Sequence, residues 1–424
     1  MTDNKTIRQR FKSSIRRGTG EAYLIMQDNS TTNFSGDIIK AALKNFAYDR
    51  QSEGSRAFYI SELIAISKHL DKIRNAIFKG LATEQEDCWA LVQLFDLAAI
   101  FAMQGDTYAK QAIYNRFNNN SLKDSVWAGE DAVIKIDGME GLKYVAEVKG
   151  KIIANDPDEW EDSWTVDFFQ EKNPNINVYK ILEEAGKSNK YIKVYLDTIK
   201  QSKLESAKRE RTKYNYATVT EKINSKAAVP LPPLFAKDLS KSHVKKIADD
   251  FLKETDRIKL EKYMRVFDLI KYPYNYKPIL ELAKGKNKKT DRLVEYATGA
   301  LKYFSGSDIR KFAIDSLIKT KNPSDNLDLL VSNYKKGDSK LLTTIAINCK
   351  NEHDIHNIIY GFINIYKANK TKECKEPLEV VYEKITCGIH RKDIIKILID
   401  NKVISKKISK EIKYDSNEET RELL

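Results

Sequence analysis

The sequence predicts an all-α protein: an N-terminal helical domain followed by a right-handed α-α superhelix of antiparallel helix pairs. Three observations predict it. From about residue 257 to residue 401, short amphipathic stretches with apolar side chains at three- and four-residue spacing follow one another, separated by brief turns. Their starts recur roughly every 14 to 20 residues, so one pair takes about 30 to 40, the length of a helical solenoid repeat. With 17 Gly and 9 Pro in 424 residues, and 42% of the side chains hydrophobic, the chain is rich in helix formers.

The elements follow in order. Segments 11–26, 37–48 and 56–70 carry helical spacing, and Thr83 with Glu86 reads as a capping box ahead of 89–103. That run is the most apolar of the chain, but Gln93 and Asp96 interrupt it and it is too short to span a bilayer, so it reads as a buried central helix and no membrane contact is expected. Segment 106–117 follows, an Asn-rich turn at 118–120 ends it, and 133–136 reads as a short strand, too brief to imply a sheet. Asp156, Pro157 and Glu159 look like the cap, first position and capping-box position of a further helix. The Pro-rich stretch 229–234 cannot continue a helix and reads as a linker. Beyond it, 259–270, 278–283, 291–304, 308–318, 326–334, 339–349, 354–366, 376–385 and 391–401 are the predicted repeat helices. The expected division is 1–151, a charged helical connector 152–234, and a repeat domain 235–424.

A chain of this length exceeds the usual limit of one core, so it needs several domains or a core that grows by stacking. The polar start, 1–12, shows no secretory signal, and four irregularly spaced cysteines fit a reducing cytosol, so a cytoplasmic location is expected. The formal net charge of +13, carried mostly by lysine, points to nucleic acid or an acidic protein as partner.

Within 307–318, Ser-Asp-Ile-Arg-Lys-Phe-Ala-Ile-Asp-Ser-Leu-Ile, the residues Arg310, Ala313 and Leu317 stand as second helices of HEAT-like repeats often carry them. The C-terminal part, about the last 170 residues, resembles that class in period and pattern. Unit lengths are uneven and no repeat copies another closely. The resemblance implies a concave binding surface and no particular activity.

Several clusters are candidate sites. Arg16 and Arg17 precede Gly-Thr-Gly-Glu21, which is either a phosphate-approaching turn or a helix break with two exposed arginines. Asp49, Glu53 and Arg56 either share one helical face, able to hold a cation or guanidinium, or flank a break at Gly54 and Ser55 as a local ion pair worth little. Trp160, Trp164 and Phe168 recur every four residues in a stretch holding seven acidic and no basic side chains from 155 to 171, the spacing of a helical core face. The same residues, with Asp162, are similar in type to the carboxylate-and-tryptophan site of HEAT-like DNA glycosylases acting on alkylated bases, which would make Asp162, Trp160 and Trp164 catalytic candidates. Lys208, Arg209, Arg211 and Lys213 run into Tyr214 and Tyr216, a mixture of phosphate-binding and base-stacking groups or a charged helix end with two packed tyrosines. Cys387 and His390 form a single potential ligand pair, but no standard metal spacing accompanies them and no cofactor is implied. The expected function is non-enzymatic recognition of nucleic acid or an acidic protein by a basic helical-repeat surface, with a base-excising glycosylase and a pure protein scaffold as alternatives.

Overall fold

The computed structural model describes residues 4–119, 127–156, 158–208, 213–225, 231–285, 292–320 and 322–424, and all regular structure among them is helical. None of these helices is long and apolar enough to cross a membrane. The chain divides into two compact units, Met1–Glu210 with Thr386–Ile389 and Lys406–Leu424, and Arg211–Ile385 with His390–Ser405.

The first unit begins with α1 (Asn4–Arg17), α2 (Glu21–Asp28), α3 (Ser35–Leu43), the single turn α4 (Arg50–Glu53), α5 (Ala57–Ala65), α6 (Leu70–Thr83), α7 (Cys88–Met103) and α8 (Thr107–Asn118). As its apolar run predicts, α7 is the buried centre, packed by α3, α5, α6 and α8. Its N-cap is Asp87, whose carboxylate accepts from the Trp89 and Ala90 N–H groups at 3.1 Å each. The Thr83–Glu86 capping box therefore does not form: Thr83 belongs to the last turn of α6. Gln93, the buried polar residue of α7, is fully paired: it donates to the Ala41 and Ala42 carbonyls at 2.8 and 3.0 Å and accepts from the Arg56 N–H at 3.2 Å.

Helix α9 (Glu130–Asn155) breaks at Gly138, whose φ of 55° is outside helical space. Residues 133–136, predicted as a strand, lie in its first part; Val133 is buried in the first core with Ile134 and Ile136 partly buried against it, and helical packing overrides their strand propensity. After the break, α9 packs with α10 (Trp164–Lys172), α11 (Val178–Ser188) and α12 (Lys190–Lys208) around a second core of Leu142, Ala146, Val166, Leu182, Tyr195 and Ile199. The helix start predicted at Asp156 does not exist. Asp156 is the C-cap of α9, and 158–163 are non-helical up to α10.

The second unit contains α13 (Tyr216–Asn224), α14 (Lys241–Phe251), α15 (Arg257–Leu269), α16 (Lys277–Ala283), α17 (Leu293–Ala300), α18 (Ser307–Lys319), α19 (Ser324–Leu327), α20 (Ser339–Asn348), α21 (Glu352–Ala368), α22 (Lys375–Tyr382) and most of α23 (Gly388–Asp400). Nearly all agree with the predicted repeat helices to within a turn, because their apolar faces are continuous and their breaks are marked by Gly, Pro and Asx residues. Helices two apart pack on one another along the series α13, α15, α17, α19, α21, and α20 packs on α22. Long side chains tie successive pairs. Lys262 donates to the Lys222, Ile223 and Ser225 carbonyls at the end of α13, and Lys384 to those of Ala346, Ile347 and Cys349 at the end of α20, at 2.9, 2.7 and 2.9 Å. Each ammonium satisfies carbonyls that a helix end leaves without intrahelical partners. Arg310 makes a bidentate pair with Asp338, both bonds 2.7 Å, and also donates to the Asn333 carbonyl at 2.7 Å.

The first unit is completed by the C-terminal segment, α24 (Lys406–Glu411) and α25 (Glu418–Arg421). It seats against the break between α1 and α2. The Ser416 N–H donates to the Gly18 carbonyl at 2.8 Å, Tyr414 stacks on Tyr23 with ring centroids 4.0 Å apart, and Arg421 pairs with both Glu62 oxygens at 3.0 and 2.7 Å. Glycine is required at this break for two reasons: Gly18 has φ of 75°, and a Cβ on Gly20 would stand 2.0 Å from the Glu411 carbonyl oxygen.

Candidate recognition surfaces

Trp160, Trp164 and Phe168 are exposed, at 68%, 58% and 43% of their surface, so the aromatic stripe is not a core face. The physical reason is that Trp160 precedes the helix and Val166, off the stripe, supplies the buried contact of α10. The Trp164 and Phe168 rings stack nearly parallel, 5.2 Å apart and 8° from coplanar, and the Lys172 ammonium lies over the Phe168 ring at 5.4 Å. Asp162 is exposed, and its carboxylate accepts from the Trp164 N–H at 2.8 Å. Asp156, Asp158, Glu159 and Glu171 are exposed on the same stretch.

Beneath this strip lies a cluster that the sequence reading missed. Lys149 is nearly buried between Glu130, 2.5 Å away, and Glu161, and Thr165 on α10 donates to Glu130 at 3.2 Å. Burial alone would depress the Lys149 ammonium, but the two carboxylates outweigh it and hold its pKa above the ordinary value. Burial raises Glu161, and Asp131 beside Glu130 is raised for the same reason. Two carboxylates share one ammonium, so the cluster keeps a negative charge. The Tyr195 hydroxyl is buried near both carboxylates without a hydrogen-bond partner, and burial raises its pKa. One signal of this cluster was legible: Lys149 continues the apolar stripe of Leu142, Val145 and Ala146, where a lysine requires a partner.

Two lysines of α12 ahead of the basic stretch are paired. Lys200 pairs with Glu183 at 2.6 Å and Lys203 with Asp167 at 3.0 Å. Lys208, at the end of α12, and Lys213 are exposed, whereas Arg209 and Arg211 lie outside the described residues. Tyr214 is buried edge-on against Phe235, and its N–H donates to Asp238; the Tyr216 hydroxyl donates to Asp250 at 2.7 Å. Tyr214 is therefore a packing residue of the second unit, whereas Tyr216 is half-buried and held by its hydroxyl.

Arg16 is exposed and Arg17 is buried, its guanidinium 3.4 Å from Glu21, which also accepts from Ser14 and Arg10. Only one of the two arginines expected on the surface is there. Asp49 N-caps α4 by accepting from the Ser52 N–H at 3.1 Å, so it does not share a helical face with Glu53 and Arg56. Glu53 and Arg56 form an ion pair across the Gly54 break as predicted, but it is buried, and its partners make it structural rather than negligible. Glu53 accepts from the Gly388 N–H at 2.7 Å, and Arg56 donates to the Thr386 carbonyl at 2.7 Å and to that of Arg16 at 2.8 Å.

Cys387 is buried in the first unit and forms no disulfide. His390 is buried in the second unit with its ring edge-on to those of His356 and Tyr360, at 4.8 and 4.5 Å. No family model matches this sequence, and no curated protein matches it.

Proposed function

We propose that the protein is a non-enzymatic recognition protein whose second unit binds nucleic acid through a lysine-rich, HEAT-like surface. The partition of charge carries this reading. The second unit holds 38 of the 73 Lys and Arg and 24 of the 60 Asp and Glu, a formal +14, while the first holds the remaining 35 and 36, a formal −1. The whole positive excess therefore belongs to the unit whose helices pack two apart, with side-chain ties across 28 to 40 residues as stacked pairs require. A surface of this kind engages phosphates through released counterions and without base readout. A catalytic role for Asp162 has weaker support, since the surrounding carboxylates repel a phosphate backbone and Asp162 already accepts from the Trp164 N–H.

The test is fluorescence polarisation of the full chain with labelled single- and double-stranded DNA and RNA from about 50 to about 200 mM salt. The reading expects binding at low salt that falls linearly on a log–log plot, with little preference among sequences. Absence of binding at the lowest salt overturns it, and binding to polyglutamate but not to nucleic acid assigns the surface to an acidic protein.

A further inference from the structure

We infer that the strip of Trp160, Trp164 and Phe168 is a docking site for an arginine-bearing segment of a partner protein. It is independent of the lysine-rich surface: it belongs to the other unit and carries the opposite charge. Three large aromatic side chains within nine residues are left exposed, the two tryptophans over most of their surface, although α10 has an apolar contact of its own in Val166. Scattered single exposures need no explanation, but the stacked, exposed pair of Trp164 and Phe168 forms a platform, and exposed Trp160 precedes it by four residues in the chain.

The charge around the platform selects the ligand. Asp158, Glu159 and Asp162 flank Trp160 in the chain and stay exposed, and Glu161, next to Trp160, shares one ammonium with Glu130. The chain itself shows the mode of binding at the far end, where Lys172 sits over Phe168. Near-coplanar stacked rings offer flat faces rather than the enclosing walls that take a round ammonium head. A planar guanidinium stacks on such a face while its N–H groups reach the neighbouring carboxylates, which a lysine does less well. Arginine is thus the favoured cation for the exposed Trp164 and Trp160 rings, Phe168 being stacked on Trp164 and already covered by Lys172.

The full-length chain is titrated with a labelled peptide of alternating Arg and Gly, and with its Lys–Gly and Glu–Gly counterparts of equal length. Polarisation and tryptophan emission are read together. The Arg peptide should bind at least about fivefold more tightly than the Lys peptide and quench the tryptophans, with no binding of the Glu peptide. Trp164→Ala should weaken it about tenfold, and Asp158→Asn with Glu159→Gln should weaken it and flatten its salt dependence. These side chains are exposed, so circular dichroism and the melting temperature should not change in either variant. Equal affinity for the Arg and Lys peptides, or unchanged affinity in both variants, overturns the proposal. So does light scattering that shows a dimer lost in Trp164→Ala and undisturbed by the Arg peptide, which would assign the strip to a second copy of this chain.

Discussion

Glu53 and Arg56 form a buried ion pair, 3.2 Å apart, whose two members hold the same distant stretch of backbone: Glu53 takes the Gly388 N–H and Arg56 the Thr386 carbonyl. Three residues of separation in sequence thereby fix a contact that spans more than three hundred. Removing one member leaves the other charge buried, which costs more than the pair contributes. Arg56→Ala is expected to lower stability by about 3–5 kcal/mol in urea denaturation, whereas Lys187→Ala, in an exposed pair with Glu184, should change it by less than about 0.5 kcal/mol. Equal effects of the two would show that the Glu53–Arg56 pair does not hold residues 386–388 in place.

Gly20 sits where the Glu411 carbonyl leaves no room for a side chain. Gly20→Ala should displace the C-terminal segment and destabilise the first unit by about 1–3 kcal/mol, the usual range for overpacking. Limited proteolysis gives the direct reading: cleavage within 406–424 should accelerate in the variant. At Gly36, where an added Cβ meets nothing, alanine should leave the cleavage rate unchanged.

The carboxyl of Glu21 belongs to the same seam. Burial alone would raise its pKa, but hydrogen bonds from Ser14 and Arg10 and the charge of Lys407 outweigh burial and hold it below the ordinary 4.5. A depressed carboxylate contributes stability that is present above its unfolded pKa and lost as pH falls through the folded one. Stability should therefore decline below about pH 4.5, and Glu21→Gln should flatten part of that decline. Glu161, raised by burial, gives the opposite sign: its contribution is lost as pH rises through its folded pKa, so Glu161→Gln should favour the folded state on the neutral side. Urea midpoints measured across pH for both variants decide the signs.

Lys384 closes the end of α20 with three carbonyl contacts from a single ammonium. Lys384→Met keeps the aliphatic stem and removes the charge, and it should cost about 1–2 kcal/mol. Hydrogen exchange should show faster opening at the end of α20 and unchanged protection in α7, since the loss is local. Uniform loss of protection would mean that the lysine acts globally.

Much of the fold was legible because helical periodicity is a local property. The positions of α15 to α23 follow from apolar spacing and turn residues alone, and the buried nature of α7 follows from its composition. The sites were less legible, because exposure depends on what packs against a residue. A four-residue aromatic spacing reads the same whether the stripe faces a core or water. At α10 the buried contact came from Val166, and the stripe was left outside. Tyr214 and Tyr216 left two alternatives open beside a basic run, stacking groups or packed side chains, and only contacts far along the chain, Phe235 for Tyr214 and Asp250 for the Tyr216 hydroxyl, separate them.

The sequence by itself determined that the chain is helical, where most of its C-terminal helices begin and end, and that it carries a positive excess, for these rest on neighbouring residues and on counting. Tertiary structure decided which unit holds that excess, which arginine at the α1–α2 break is buried, and that residues 386–389 and 406–424 belong to the N-terminal unit. The last of these depends on contacts between residues hundreds of positions apart, whose hydrogen bonds and close backbone approaches leave only faint local marks, such as the glycines at 18 and 20.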